Sequence, residues 1–406
     1  MKTIIFLECN ISGTGVRAIK IAKERGYHTV LFTKENDFYN LLADNPTLYV
    51  DTLVELNTDC IASILSHAME LDTHGIVAFD DYRLINAAAV SHALGLPAPN
   101  LTSLATCRYK HQTRQQLHHL DANCRYKVCN INNTLDISKM CFPLVVKPCD
   151  DSGSSKVTVC HSMEDLDLAI KELTEFRTNH RGYKLSSTYL VEEFIEGDEY
   201  SAEAYWDTTL ACWQILGITK KYTTSGKYSV EIGHDFPYES PLSAKIIQTV
   251  ILWLTHVNLS HTVAHVEFKL HNNDIKLIEI NPRVAGGMID KLCERATGFD
   301  LIECYLSLHV KNMAYTPPRH HVPKYTAIRF LTSEKLGVIT KIQVNSLSST
   351  PLLFNFVPTP IQVNALKDSY SRLGYVITEA QEAELAAQFA EKWLKSVEIQ
   401  YQEKPI

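Results

Sequence analysis

In the first hundred residues, short apolar runs alternate with stretches whose apolar positions recur at helical spacing. Thr3-Ile4-Ile5-Phe6-Leu7 opens a strand over 3–9, residues 14–26 read as an amphipathic helix ending at Gly26, and 28–33 as a second strand. A helix over 58–70, the strand Gly75-Ile76-Val77-Ala78-Phe79 and a helix over 82–94, stopped by Gly95 ahead of Pro97 and Pro99, continue the series. This alternation predicts a parallel sheet of doubly wound type. Its functional edge is expected at the carboxyl ends of the strands, where Asn10, Ser12, Gly13, Asp80 and Asp81 fall.

A different layout begins near residue 101. Arg108-Tyr109-Lys110-His111 opens a helix running to about 120, and strands follow at 125–130 and 143–147. The second ends in Lys147 and is followed by a small-residue loop over 150–157 containing Ser152, Gly153, Ser154 and Ser155. A strand-borne lysine beside such a loop can hold phosphates by charge and by backbone N–H groups. An ordinary hairpin turn is the plainer alternative, and no Walker-type phosphate loop is present. Tyr189-Leu190-Val191-Glu192-Glu193-Phe194-Ile195 then reads as a strand that meets Glu196-Gly197-Asp198-Glu199. Backbone here can reach a purine edge, Phe194 and Ile195 can cover the ring, and Glu199 can accept from ribose hydroxyls; otherwise it is a solvated strand end.

Two segments with strict alternation carry the clearest chemistry. His265-Val266-Glu267-Phe268-Lys269-Leu270 and Leu277-Ile278-Glu279-Ile280-Asn281-Pro282-Arg283 flank the polar turn His271-Asn272-Asn273-Asp274 and read as a hairpin. Side chains two apart on a strand share a face, so Glu279 and Asn281 project together and the partner strand can add Glu267. Hard oxygen donors of this kind suit Mg²⁺ shared with substrate phosphates. Arg283 can fork onto phosphate, next to the bare backbone of Gly286 and Gly287. The alternative is a charged solvent face of an antiparallel hairpin.

Composition narrows the class without choosing an activity. The chain has 406 residues, 45% hydrophobic and 21% charged, with a net charge of −7. That length suggests two or three domains, and the balance points to no nucleic acid partner. The opening apolar run is too short for a signal or a membrane span, so a cytoplasmic protein is expected. The eleven cysteines are scattered without a Cys-x-x-Cys pair, so reduced thiols are expected rather than disulfides or zinc. His261 and His265 lack a His-Glu-x-x-His pattern. Gly13-Thr14-Gly15-Val16-Arg17-Ala18 fits a dinucleotide fingerprint with Glu35 about 20 residues on, which keeps an NAD(P)-dependent oxidoreductase as an alternative.

Taken in order, these motifs resemble the ATP-grasp superfamily over essentially the whole chain. The resemblance implies a Rossmann-like domain at 1–100, a central lobe with a glycine-rich lid at 101–190, and a C-terminal lobe at 191–406 with a closing subdomain from about 310. Lys110 and Lys147 would contact ATP phosphates, Ser152, Gly153, Ser154 and Ser155 would form the lid, Glu192, Glu193, Phe194 and Ile195 the adenine hinge, and Glu199 the ribose contact. Glu267, Glu279 and Asn281 would hold two Mg²⁺ ions, with Mn²⁺ as a substitute, and Arg283 would stabilise phosphate.

Within the superfamily, Glu231-Ile232-Gly233-His234-Asp235-Phe236-Pro237 and the run from Asn281 to Met288 resemble L-amino-acid ligases that make dipeptides. Ala327-Ile328-Arg329-Phe330-Leu331 and a helix over 379–397 are similar to the closing part of such enzymes. The resemblance implies small-molecule amino-acid or carboxylic-acid substrates, no membrane partner, and a mechanism through an acyl phosphate with release of ADP and phosphate; a homodimer is compatible with it. Arg283, Gly286 and Gly287 would hold the oxyanion, and His234 would lie on the acceptor side or shape its pocket. Tyr82, Arg83, Trp213 and Met288 are candidate pocket residues. Biotin-carboxylase-like and purine-pathway enzymes share the magnesium motif and remain alternatives.

Overall fold

The chain alternates between elements covered on both faces and elements with one polar face, and its described strands form four sheets. The computed structural model describes all residues except 12, 43, 180, 319, 334, 346–350 and 403–406, so Ser12 lies outside the described residues. At the amino end β1 (Thr3–Leu7), β2 (His28–Thr33), β3 (Thr52–Glu55) and β4 (Thr73–Val77) form a parallel sheet in the order β3-β2-β1-β4. Every residue of β1 is buried, as a parallel strand covered by helices requires. Helices α1 (Thr14–Glu24), α2 (Ile61–Met69) and α3 (Leu84–Ala93) cover it.

The Gly13 fingerprint has a packing explanation. Gly13 sits at φ +84°, and a Cβ on Gly15 would meet Cys9 Sγ at 2.8 Å, so the glycines let α1 turn and lie close on β1. Arg17, inside the same motif, pairs with Asp290, Glu294 and Asp300 from the C-terminal part of the chain. Glu35 is exposed.

Two short helices, α4 (Leu101–Arg108) and α5 (Lys110–Gln116), follow where one was expected from 108 to 120. Asn100 opens α4 by accepting from the N–H groups of Thr102 and Ser103. Leu104 and Cys107 of α4 and Leu117 just after α5 pack with the C-terminal sheet, not with the central lobe that residues 101–190 were expected to form. The central sheet comprises β5 (Tyr126–Asn130), β6 (Leu144–Pro148), β7 (Thr158–Cys160) and β8 (Thr188–Glu193) in the order β5-β8-β6-β7. Helix α6 (Met163–Glu175) closes one face through Leu166, Ala169 and Leu173. A division at 190 would cut β8, which pairs with β5 through Glu192 and with β6 through Glu193.

The remaining strands are β9 (Asp198–Asp207), β10 (Cys212–Thr223), β11 (Glu231–Phe236), β12 (Val263–His271), β13 (Asp274–Asn281), β14 (Tyr325–Leu331), β15 (Gly337–Val344), β16 (Leu353–Phe356), β17 (Ile361–Val363), β18 (Gly374–Ala380) and β19 (Val397–Tyr401), in two sheets. Eight strands run in the order β13-β12-β9-β10-β11-β14-β18-β16, and three more in the order β17-β15-β19. Helix α7 (Ser243–His256) buries Ile246, Val250, Trp253 and Leu254 against one face; α8 (Ile289–Thr297) and α9 (Leu301–His309) link the other end of the sheet to α1. The expected hairpin is β12–β13, turned at Asn272 and Asn273 with φ of 46° and 70°, as a two-residue turn of matching twist demands.

The helix expected over 379–397 is corrected. Its first residues belong to β18, α10 covers only Ala383–Leu394, and Val397 onward is β19. The β-branched run Val376-Ile377-Thr378 and the alternating Val397-Glu398-Ile399 favour extended chain on either side of a short amphipathic helix. No helix among the described residues is long and apolar enough to cross a membrane.

Candidate functional site

A cleft enclosing about 900 Å³, counted with its open mouth, lies between the central sheet and the eight-stranded sheet. Lys110, Lys147, Ser152, Gly153, Ser154, Ser155, Glu192, Glu193, Phe194, Ile195, Glu199, Glu267 and Glu279 all line it, as do Arg114, Ser229 and Lys269. Alternation builds one wall: on β13 Glu279 and Asn281, on β12 Glu267, and on β9 Glu199 share the face of the sheet opposite α7. Asn281 Nδ2 donates to Glu279 Oε1 at 2.9 Å and to Glu267 Oε1 at 3.4 Å.

Lysines already seat on these carboxylates. Lys110 Nζ lies 2.8 Å from Glu279 Oε2 and donates to the Asp151 carbonyl at 2.8 Å, tying the wall to the start of the small-residue loop. Burial pushes the Glu279 carboxyl up, but Lys110 and the Asn281 amide hold it well below the ordinary range. Lys221, on β10, is enclosed by Glu231 at 2.5 Å, Glu267 at 2.8 Å and Glu199 at 3.3 Å. Glu199, Glu231 and Glu267 have oxygens within 4.8 Å of one another, and the ammonium of Lys221 satisfies that trio. Burial pushes Glu199 up despite Lys221, whereas the same lysine holds Glu231 far down.

The opposite wall centres on Glu192. Its side chain is not free for an adenine edge: Lys147 Nζ lies 2.5 Å from Oε2, and Arg114 Nε donates to Oε1 at 2.7 Å. Arg114 also donates to the Ile278 carbonyl at 3.0 Å, joining the central lobe to β13. Glu192 therefore aims Lys147. Burial raises its carboxyl, and Arg114 and Lys147 more than reverse this, to about 2 from 4.5. Because the folded value is depressed, this contribution is present above the ordinary carboxylate value and is lost as pH falls toward 2; it is on the order of 3 kcal/mol. Glu192→Gln is expected to unfold at lower urea at pH 7, with its deficit to wild type shrinking below about pH 4. A deficit that stays constant with pH would show that the charge is not what matters.

The hinge backbone is partly committed. The N–H groups of Glu193 and Phe194 donate to Arg125 and Pro143 carbonyls, and Lys269 Nζ donates to the Ile195 carbonyl at 3.0 Å while lying 4.3 Å over the Phe194 ring. The loop 150–157 is held from two other parts of the chain. Tyr82 Oη donates to Asp151 Oδ1 at 2.8 Å, and a Cβ on Gly153 would lie 3.1 Å from Tyr370 Oη.

Arg283, Gly286, Gly287 and His234 do not line this cleft. Arg283 is engaged by Asp81 from the first sheet, with Nε to Oδ1 and Nη2 to Oδ2 both 2.7 Å. His234 stands opposite Lys221 on β11 and is fully buried. Burial lowers its imidazole to about 3, so the ring is neutral, and neither ring nitrogen has a hydrogen-bond partner among the described residues. A Cβ on Gly287, at φ +62°, would come within 3.0 Å of His234 Nε2, so that glycine makes room for the ring. Trp213, a candidate pocket residue, is instead core, donating to the Leu259 carbonyl at 2.8 Å; Arg83 is buried against Asp59 and Asp80.

Arg114, Lys221, Glu203 and Lys269 were not singled out from the sequence. Each is a charge on a strand or helix with no local signal of burial, and each has a partner distant in the chain. The donor set fits a hard divalent cation: two carboxylates and an amide converge, and ammonium groups already sit on the carboxylates.

Comparison with known proteins follows the same lines. A family profile described as an ATP-grasp domain matches residues 140–291. An uncharacterized protein of Sinorhizobium fredii is 21% identical over 408 residues, 98% of this chain and 82% of that protein. The L-arginine-specific L-amino acid ligase of Bacillus subtilis is 26% identical over 180 residues, which is 42% of this chain and 41% of the ligase, so less than half of that relative is spanned. An L-amino acid ligase structure from Bacillus licheniformis superimposes with a TM-score of 0.78 at 18% identity, covering 99% of both chains. Biotin carboxylase and phosphoribosylglycinamide synthetase structures share the fold as well, so the fold does not choose among these reactions.

Proposed function

With an ATP-grasp domain at residues 140–291 inside a fold shared over the whole chain with ATP-grasp enzymes, we propose that the protein is an ATP-dependent carboxylate–amine ligase acting on amino acids. The observation that carries this reading is the convergence of Glu267, Glu279 and Asn281 on one wall with Lys110, Lys147 and the small-residue loop around the same cleft. In this reading a substrate carboxylate oxygen attacks the γ-phosphorus of ATP, the bond to the β–γ bridging oxygen breaks, and ADP leaves an acyl phosphate. An amine nitrogen then attacks the acyl carbon, the C–O bond to phosphate breaks, and the ammonium loses a proton as the amide forms.

The chain's own groups supply positioning and charge. A magnesium ion held by Glu267, Glu279 and Asn281 would screen the phosphates when bound. Lys110, Arg114, Lys147 and Lys269 are the cations that line the cleft, Lys221 stands behind its Glu267, and the loop 150–157 would exclude water from the acyl phosphate. Arg283 is the fork for the reacting carboxylate, and the buried, neutral His234, with Nε2 3.6 Å from Glu231 Oε2, is assigned to the amine side. Both assignments draw on the likeness to L-amino-acid ligases, since neither residue lines the cleft.

ADP release is expected to depend on an added amino acid, and mass spectrometry of the product should find an amide-linked pair. Glu279→Gln is expected to lower that rate about 10²-fold. Full turnover in this variant would remove the magnesium assignment. ADP release stimulated by bicarbonate in the absence of amino acids would favour the carboxylase-type alternative instead.

A further inference from the structure

Two ranks of side chains cross three adjacent strands behind the proposed metal end of the cleft. Asn281, His265 and Glu203 are paired across β13, β12 and β9, and Glu279, Glu267 and Ser201 are paired in the next rank. The ranks are two residues apart, so the pleat puts all six side chains on one face.

His265 spans the ranks. Its Nδ1 faces both oxygens of Glu203, at 2.9 and 3.0 Å, and its Nε2 faces Glu267 Oε1 at 3.1 Å. Glu203 is itself anchored: Ser201 Oγ donates to Oε1 at 2.7 Å and Thr219 Oγ1 at 3.2 Å, and all three residues are buried. The other oxygen of Glu267, Oε2, turns toward the cleft side, where Lys221 meets it at 2.8 Å.

We propose that Glu203 and His265 are positioning residues that fix the orientation of Glu267, one oxygen held from behind and the other presented to the cation that the cleft binds. The assignment rests on the magnesium-nucleotide reading of the cleft. A chain of buried charged groups is a poor way to gain stability, because well-packed apolar residues of the same volume do as well or better. What the chain does provide is a carboxylate with one rotational setting. Without the bond from His265, Glu267 could swing both oxygens onto Lys221, its other close charged partner. Supporting groups of this kind set ligand orientation, and their loss typically weakens metal affinity about 10- to 100-fold.

The test measures metal binding, not turnover. Free Mn²⁺ is titrated by electron paramagnetic resonance against the full chain saturated with a non-hydrolysable ATP analogue, and ADP binding is measured separately in EDTA. Glu203→Gln keeps the shape and removes the charge; His265→Gln removes the bridge to Glu203 and serves as the second variant. Both are expected to weaken Mn²⁺ binding about tenfold or more while leaving ADP affinity in EDTA within about twofold. Mn²⁺ affinity unchanged in both variants would overturn the proposal. So would a parallel loss of ADP affinity in EDTA, which would make the pair plain structural support. Glu279→Gln is the control that separates the two readings: if it too leaves Mn²⁺ affinity unchanged, the magnesium reading of the cleft fails, and this assignment with it.

Discussion

Replacing Lys221 with methionine is expected to cost the folded state about 3–5 kcal/mol at neutral pH, because it strips the cation from a buried group of three carboxylates. Lys221 is fully buried, its ammonium lies 2.5 Å from Glu231, 2.8 Å from Glu267 and 3.3 Å from Glu199, and those carboxylates have oxygens within 4.8 Å of one another. Methionine has nearly the same volume, so the change isolates charge from packing. The sign with pH follows from Glu231. Burial raises its carboxyl, Lys221 more than offsets this, and the folded value is held far below 4.5. Its stabilisation is therefore complete above the ordinary carboxylate value and declines as pH falls below it. In the methionine variant the carboxylates take up protons at higher pH, so the gap to wild type should be widest near pH 7 and should narrow toward pH 4. Urea denaturation at both pH values checks it. An equal gap at both would mean that the destabilisation comes from lost packing. The same variant should lose amino-acid-dependent ADP release, since Glu199 and Glu267, which line the cleft, would lose the cation that holds them.

That lysine also marks where the sequence stops being readable. The hairpin of β12 and β13 follows from alternation and from Asn272-Asn273, and with it the grouping of Glu267, Glu279 and Asn281, because all of this is settled within about twenty residues of chain. Strands β1, β2 and β4 of the amino-terminal sheet are likewise read from local apolar runs and helix stops, whereas β3, exposed along most of its length, was not read. Lys221 depends on the order β12-β9-β10-β11, in which the pair β12-β9, which brings Glu267 to it, is not consecutive in the chain. Glu203 meets His265 across 62 residues, and Arg114 meets Glu192 across 78, for the same reason. A charged residue on a strand looks solvent-facing until its neighbours are known. The region 379–397 failed differently: its helical core, Ala383–Leu394, is amphipathic, but the extended chain on both sides was absorbed into one period.

Arg283→Lys is expected to lower kcat for amino-acid-dependent ADP release by about 10²- to 10³-fold while moving the KM for ATP by no more than about threefold. Both residues carry one positive charge, so the difference lies in geometry. Arg283 presents a planar fork that now grips both oxygens of Asp81, at 2.7 Å each, and its Nη1 donates to the Val284 carbonyl at 2.9 Å. Burial pushes the Asp81 carboxyl up, and the same fork overcomes this and holds it low, which is the behaviour of a two-point pair. A carboxylate substrate arriving there has the same two oxygens to offer, so its binding exchanges one carboxylate for another at little electrostatic cost to the arginine. Lysine can satisfy Asp81 or the substrate at one oxygen at a time, and it cannot fix the plane of the attacking group. In the proposed reading the nucleotide is held around Lys147 and the loop 150–157, which line the cleft, whereas Arg283 does not line it. A large rise in the ATP KM with kcat preserved would therefore move Arg283 from the reacting carboxylate to the nucleotide, and the proposed order of groups along the cleft would have to be reversed.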